Sequence, residues 1–289
     1  MSDRDETWQT VETVALDFVR AQKVEVEQRW KSWTLDPVSP EKNEVVGSLL
    51  ARQATLASGL AQSPGFWNLD LGSLVLRAMY ELHITVAWIL KSPDERAKKF
   101  IEFGLGQEKL ILEHIKSPPP GYDSPDERTM KGLESWLNSQ KFSWLTVVNV
   151  GAWADTSFRK MADEAGLADH YRMKYVPMSS NTHSMWNYVG KYNLRRCENP
   201  LHRYHRIPRV VAVETDIRIL LDAAALADET FRLTDAWSPT ADWKSAFQEL
   251  ERQMDEAGRR LADAPESPVE PDAIAEGDVA PGDGTSGGG

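Results

Sequence analysis

Residues 69–90, LDLGSLVLRAMYELHITVAWIL, constrain the fold of this chain more than any other stretch. A surface helix carries one apolar stripe. This segment is apolar on nearly every side, the pattern of a helix at the centre of a bundle. Three ionisable residues, Arg77, Glu81 and His83, interrupt it. The run is long enough to span a bilayer, but those internal charges argue against it. Charged side chains are rarely buried unless paired, and Arg77 and Glu81, four residues apart, share a helix face. The stretch therefore predicts an all-α bundle whose central helix carries a polar site.

The flanking sequence supplies the other helices. Trp8, Val11, Ala15, Phe18, Val26, Trp30 and Trp33 recur at helical spacing and predict a long helix over 5–33. Asp36-Pro37-Val38-Ser39-Pro40 breaks it, and a second helix starts with Pro40 at its first position and runs to about Ala61. Ser92-Pro93-Asp94-Glu95 forms a capping box that opens a helix to about Lys116, closed by the SPPPG run at 117–121. The letters SPDER return at 124–128 and open another helix; capping chemistry selected twice explains this better than an internal repeat. The apolar segment from Phe142 reads as helix or buried turn, since isolated strands are rare in bundles. Asp155 or Thr156 caps a short helix that Gly166 ends, and a further helix with Tyr171 and Tyr175 on one face leads into Pro177. Residues 191–209 read as irregular and basic. A long helix over 210–237 and an amphipathic one over 243–261 follow. The prediction is one all-α domain of seven to nine helices over 1–262, with its core at about 40–237.

The last segment, 263–289, is rich in Pro, Gly and Ala and holds Asp263, Glu266, Glu270, Asp272, Glu276, Asp278 and Asp283 without a base. Such a composition cannot bury enough apolar surface to fold and predicts a disordered acidic tail. It also carries most of the formal net charge of −11, so the acidic balance does not exclude a phosphate-bearing partner. The single cysteine, Cys197, rules out an intrachain disulfide. With no signal-peptide pattern at the start, a cytoplasmic protein without a membrane partner is expected.

Five constellations bear on chemistry. Arg77 with Glu81 reads as a buried pair, able to fix helix register or to hold a phosphate or carboxylate. Ser179, His183 and Asn187 fall four apart, with Ser180 three before His183, so on one continuous helix they form a polar stripe. His183 has the chemistry of an acid or base near neutral pH; the bland reading is a capped helix start with a hydrogen-bonded histidine. Arg77 to His83 has Arg-x5-His spacing, but on a straight helix the two point about 120° apart. No Glu is followed three residues later by His, against a di-iron bundle. Cys197, His202 and His205 supply three potential zinc ligands, yet no fourth accompanies them and the spacing is not a standard finger; no metal or cofactor is expected. Lastly, 195–209 holds Arg195, Arg196, Arg203, Arg206 and Arg209 with His202, Tyr204 and His205 between them, against Glu198 alone. Arginines interleaved with aromatics suit phosphate and base contacts, although pairing with acids of the same chain is the simpler expectation. No GxxxxGK[ST] loop and no GxSxG elbow is present, and Gly104-Leu105-Gly106 lacks a third glycine.

The set RAMYELHITVAWIL, SPDERAKKFIEF and Tyr171…Tyr175…SSNTHS resembles an uncharacterised family of helical bacterial proteins of unknown function. The resemblance covers roughly residues 45–190. It places Arg-x-x-x-Glu on Arg77 and Glu81, Arg-Ala-x-x-Phe on Arg96, Ala97 and Phe100, and the later Ser and His on Ser179 or Ser180 with His183. It implies an all-helical fold and a polar site of Arg77, Glu81 and His183. A more distant similarity to HEPN-type ribonucleases and abortive-infection proteins implies RNA or nucleotide ligands and phage defence. In those proteins the pair would be Arg77 and His83 instead. The functional expectation is a HEPN-like protein that binds a phosphate-bearing ligand, RNA foremost, and cleaves it. Arg77, Glu81 and His183 would be catalytic, and Ser179, Ser180, Asn187, Arg96, Arg203 and Arg206 ligand-binding. A homodimer is compatible with this reading. The competing expectation is a non-enzymatic helical scaffold or sensor subunit whose polar cluster is structural.

Overall fold

In the computed structural model the described residues are 3–123, 126–140, 153–237 and 243–262. The segment from Phe142 and the tail from Asp263 lie outside them. The described chain is all-α except for one small hairpin. In order, the elements are α1 (Asp3–Ser32), α2 (Glu41–Ala61), α3 (Leu69–Ile89), α4 (Pro93–Lys116), α5 (Glu127–Ser139), α6 (Phe158–Ala165), α7 (Ala168–His170), α8 (Val176–Thr182), α9 (Trp186–Tyr192), strands β1 (Leu194–Arg196) and β2 (Arg206–Pro208), α10 (Arg218–Arg232) and α11 (Ala246–Ala262). A π-helical turn, Tyr171–Tyr175, joins α7 to α8 as one rod.

The central position of α3 follows from its sequence. Asn68 caps it, its side chain accepting from the Leu71 N–H at 2.8 Å. Leu76, Met79, Ile84, Val86 and Ile89 are completely buried. Helices α2, α10, α8 and α6 pack around it. Gly72 is required where α10 begins, because a Cβ there would collide with Ile219 and lie 2.7 Å from the Phe66 carbonyl oxygen. Helix α1 lies across α2 and α11. Its inward face keeps part of the expected stripe and adds polar residues to it. Ala15, Phe18, Gln22, Glu25, Arg29 and Trp33 are buried, while Trp8 and Trp30 are half-exposed. Trp30 lies instead over α2, where Gly47 makes room for its ring.

Several local expectations are corrected. Ser92 precedes α4 but makes no capping bond, and Asp126 caps α5 by accepting from the Thr129 N–H, while Ser124 lies outside the described residues. The cap of α6 is Ser157, while Asp155 takes a positive φ of 51°. Gly166 ends α6 in the left-handed conformation, as its position predicted. The helix expected from 210 starts only at Arg218, where the Asp216 carboxylate receives the Arg218 N–H at 3.0 Å. Residues 191–209, expected to be irregular, hold an antiparallel hairpin pairing Leu194 with Pro208, Arg195 with Ile207 and Arg196 with Arg206. Among the described residues no helix is long and apolar enough to cross a membrane.

Candidate functional site

The residues singled out on α3 meet the π turn. Arg77 Nη1 lies 3.4 Å from Glu81 Oε2, and Arg77 Nη2 donates to the Tyr175 hydroxyl at 2.9 Å. The guanidinium carbon also sits 5.1 Å from the Tyr175 ring centroid. Burial, then the Glu81 carboxylate, push the Tyr175 phenol above its ordinary range. The pair is not sealed as expected: the side chains are 20% and 47% exposed. Arg77 Nε is buried and has no partner among the described residues. A π turn widens the helix and re-aims side chains, which places Tyr175 here; such turns often occur at functional sites.

His183 does not join that pair. The helix expected to carry Ser179, His183 and Asn187 as one stripe ends at Thr182, and Ser184 takes a φ of 48°. Asn181 Nδ2 donates to the carbonyls of Leu69 at 3.2 Å and Asp70 at 2.9 Å, and to Ser73 Oγ. Asp70 is about two turns, roughly 10 Å of helix, before Arg77, so the end of α8 meets the N-terminal end of α3 rather than the arginine. His183 is exposed, and its ring makes no hydrogen bond or ion pair among the described residues. Ser180 is buried and receives a hydrogen bond from Asn187 Nδ2 at 3.0 Å, while Ser179 is half-buried. Tyr188 completes this corner by donating to Asp70 Oδ1 at 2.6 Å.

Arg96 is held inside the fold. It donates to the Trp88 carbonyl at 2.6 Å and to Glu164 Oε2 at 3.3 Å, with its guanidinium 3.7 Å above the Trp88 ring. Trp88 Nε1 donates to the same Glu164 oxygen at 2.7 Å. Arg96 thus satisfies a carbonyl at the end of α3 and ties α4 to α6, which no spacing in the sequence signals.

A histidine cluster lies further along α3. His83 is buried, and its Nδ1 lies 2.9 Å from Thr230 Oγ1, which also receives Gln53 Nε2 at 2.9 Å. Its ring stacks at 5.5 Å and 34° on His170, whose Nε2 is 3.4 Å from Glu229 Oε2. Burial, then the neighbouring His170, lower the His83 pKa to about 4. Ligand atoms of His83, His170 and Glu229 lie within 4.8 Å of one another. The stacked rings and the Thr230 bond account for His83 as a hydrogen-bonded core histidine. His170, Glu229, Thr230 and Gln53 come from distant parts of the chain, so no spacing signals them.

The hairpin is the most basic surface. All five arginines at 195–209 are exposed. Arg195 pairs with Glu198; Arg196, Arg203, Arg206 and Arg209 have no ion-pair partner among the described residues. Arg196, Arg203, Tyr204, His205 and Arg206 line a cavity of about 360 Å³. Tyr204 is 86% exposed, with the Arg203 guanidinium 5.6 Å from its ring centroid. Pairing of these arginines with acids of the same chain, the simpler expectation, is seen at Arg195 and at no other of the five among the described residues. At the turn, Cys197 Sγ is 3.7 Å from His202 Nδ1, which is 3.3 Å from His205 Nδ1.

Residues 43–199 match DUF5677, a family of unknown function, over more than half of the chain. The chain belongs to this family. No curated protein and no solved structure matches it. The DUF5677 region runs from the start of α2 past β1. It contains Arg77, Glu81, His83, Arg96, His170, Tyr175 and His183, and it leaves out β2, His202, His205 and α10. The half of the hairpin that brings Arg203 and Arg206 therefore lies beyond the part of the chain that the family defines.

Proposed function

We propose that this chain binds a phosphate-bearing ligand, single-stranded RNA foremost, on the basic hairpin. The observation that carries this reading is the cavity where Arg196, Arg203 and Arg206 have no ion-pair partner among the described residues and lie beside an exposed Tyr204. Phosphates are held by arginines free to form bidentate contacts, and bases stack on aromatic rings without needing a particular sequence. An arginine already neutralised within the fold offers neither. The net charge of −11 makes the contrast sharper, since this basic patch is local.

The HEPN-like ribonuclease form of the reading needs more: an arginine that steadies the phosphate and a histidine that moves its proton must meet at one place. Arg77 is engaged by Glu81 and Tyr175, and His183 follows the end of α8 that is tied to the N-terminal end of α3. Those contacts favour a structural role for the α3 pair, with RNA binding in the absence of cleavage, as a scaffold or sensor subunit would do. Phage defence would follow from the distant likeness to abortive-infection proteins alone.

The test is affinity for a single-stranded RNA oligonucleotide against salt. Changing both Arg203→Ala and Arg206→Ala should flatten the log–log slope by about 1.4, since each single-strand phosphate contact contributes about 0.7. His183→Ala should leave affinity unchanged. A wild-type chain without salt-dependent RNA affinity overturns the proposal, and RNA cleavage lost in His183→Ala would restore the catalytic reading.

A further inference from the structure

Three potential metal ligands meet at the turn of the hairpin, whether or not the arginines hold RNA. Three backbone bonds fold the turn back on itself. The Cys197 N–H donates to the His205 carbonyl at 3.1 Å, the His202 N–H to the Asn199 carbonyl at 3.0 Å, and the His205 N–H to the His202 carbonyl at 3.0 Å. These bonds extend the register that pairs Arg196 with Arg206. As a result the side chains of residues 197, 202 and 205 converge, although nothing in a Cys-x4-His-x2-His spacing required it.

The separations match tetrahedral coordination. Zinc bonds of about 2.3 Å to sulfur and 2.0–2.1 Å to nitrogen place two ligand atoms about 3.6 Å apart for sulfur and nitrogen, and about 3.3 Å apart for two nitrogens. The hairpin holds Cys197 Sγ and His202 Nδ1 at 3.7 Å, and His202 Nδ1 and His205 Nδ1 at 3.3 Å. All three ligand atoms lie within 4.8 Å of one another. His202 Nδ1 offers one lone pair or one proton, yet it faces both a sulfur and a second ring nitrogen. A single cation satisfies all three at once.

We propose that Cys197, His202 and His205 bind one zinc-class divalent ion, with the cysteine as thiolate. A thiolate and two imidazoles suit zinc and its borderline relatives, and exclude hard cations such as magnesium and calcium. Three protein ligands leave the fourth position to water or to an incoming oxygen. His205 also lines the arginine cavity, so that position adjoins Arg196, Arg203 and Arg206. Both histidines are exposed, which leaves the ion a way in.

The experiment uses the full chain, stripped of metal with a chelator and titrated with zinc by calorimetry and with cobalt(II) by absorption. The expected result is one ion per chain and a thiolate-to-cobalt charge-transfer band. Cys197→Ser should abolish the band and weaken binding about a hundredfold or more, beyond the 10–100-fold typical of losing an outer-shell partner. His205→Ala should weaken it comparably. His170→Ala, which alters the other histidine cluster, should change nothing. Thermal melts of the stripped variants should match wild type, because the turn is exposed. No charge-transfer band in wild type, an unchanged affinity in Cys197→Ser, or an ion lost through His170→Ala would each overturn the assignment.

Discussion

The same pair of residues, a glutamate and an arginine four apart, occurs on two helices with opposite outcomes. On α1, Glu25 and Arg29 are sealed, with side chains 2% and 3% exposed. Glu25 Oε1 receives Arg29 Nε at 3.1 Å and Nη2 at 3.0 Å, and Glu25 Oε2 receives the Ala246 N–H at 3.0 Å. Arg29 goes on to the Phe231 carbonyl at 3.2 Å and to Asp235, under the Trp243 ring at 4.9 Å. That one pair fastens α1 to α10 and α11. On α3, Arg77 and Glu81 stay partly in water, and Arg77 bonds to Glu81 and Tyr175. Burial raises the Glu25 carboxyl above its ordinary value despite the arginine beside it, so its surroundings cost more than the pairing returns. The difference teaches that spacing decides which side chains can meet, while burial decides what the meeting is worth.

The largest effect should come from the sealed pair. Arg29→Met leaves the Glu25 carboxylate without its counter-charge and should cost about 3–5 kcal/mol in urea unfolding, whereas Glu25→Leu with Arg29→Met should recover most of that. A loss below about 1 kcal/mol for the single change would show that water reaches the seam and would erase the contrast.

Next comes His83, the buried histidine of α3. Its folded pKa lies near 4, below the ordinary 6.5. Unfolding therefore takes up a proton between those values, so stability is full above pH 6.5, falls as the pH drops and levels off near pH 4. Between pH 7 and 4.5 the wild type should lose about 2–3 kcal/mol more than His83→Gln in urea unfolding. Parallel losses would place the ring in water and make α3 uniformly open.

The smallest effect belongs to the open pair. A double-mutant cycle on Arg77 and Glu81 should return a coupling of about 0.2–1 kcal/mol, the range of exposed pairs. A coupling near that of Glu25 and Arg29 would close the gap between the two helices.

How much of this was legible varies by residue. Helix α3 was plain in the sequence because its apolar residues surround the whole helix, and Gly166 marked a helix end because a left-handed residue favours glycine. The likeness of residues 45–190 to an uncharacterised family agrees with the DUF5677 match at 43–199. The hairpin was hidden, because two three-residue strands have too few side chains to show an alternating pattern. The polar stripe of Ser179, His183 and Asn187 assumed an unbroken helix, and the positive φ at Ser184 removed that assumption.

By itself, then, the sequence determined the helical class, the central helix and the pairing of residues four apart, because these follow from local periodicity and capping. Tertiary structure alone decided which Glu–Arg pair is sealed, where Tyr175 and His170 meet α3, and that Cys197, His202 and His205 converge. Those outcomes depend on contacts between residues far apart in the chain, or on backbone bonds that fold a turn back on itself, and neither leaves a spacing in the sequence to read.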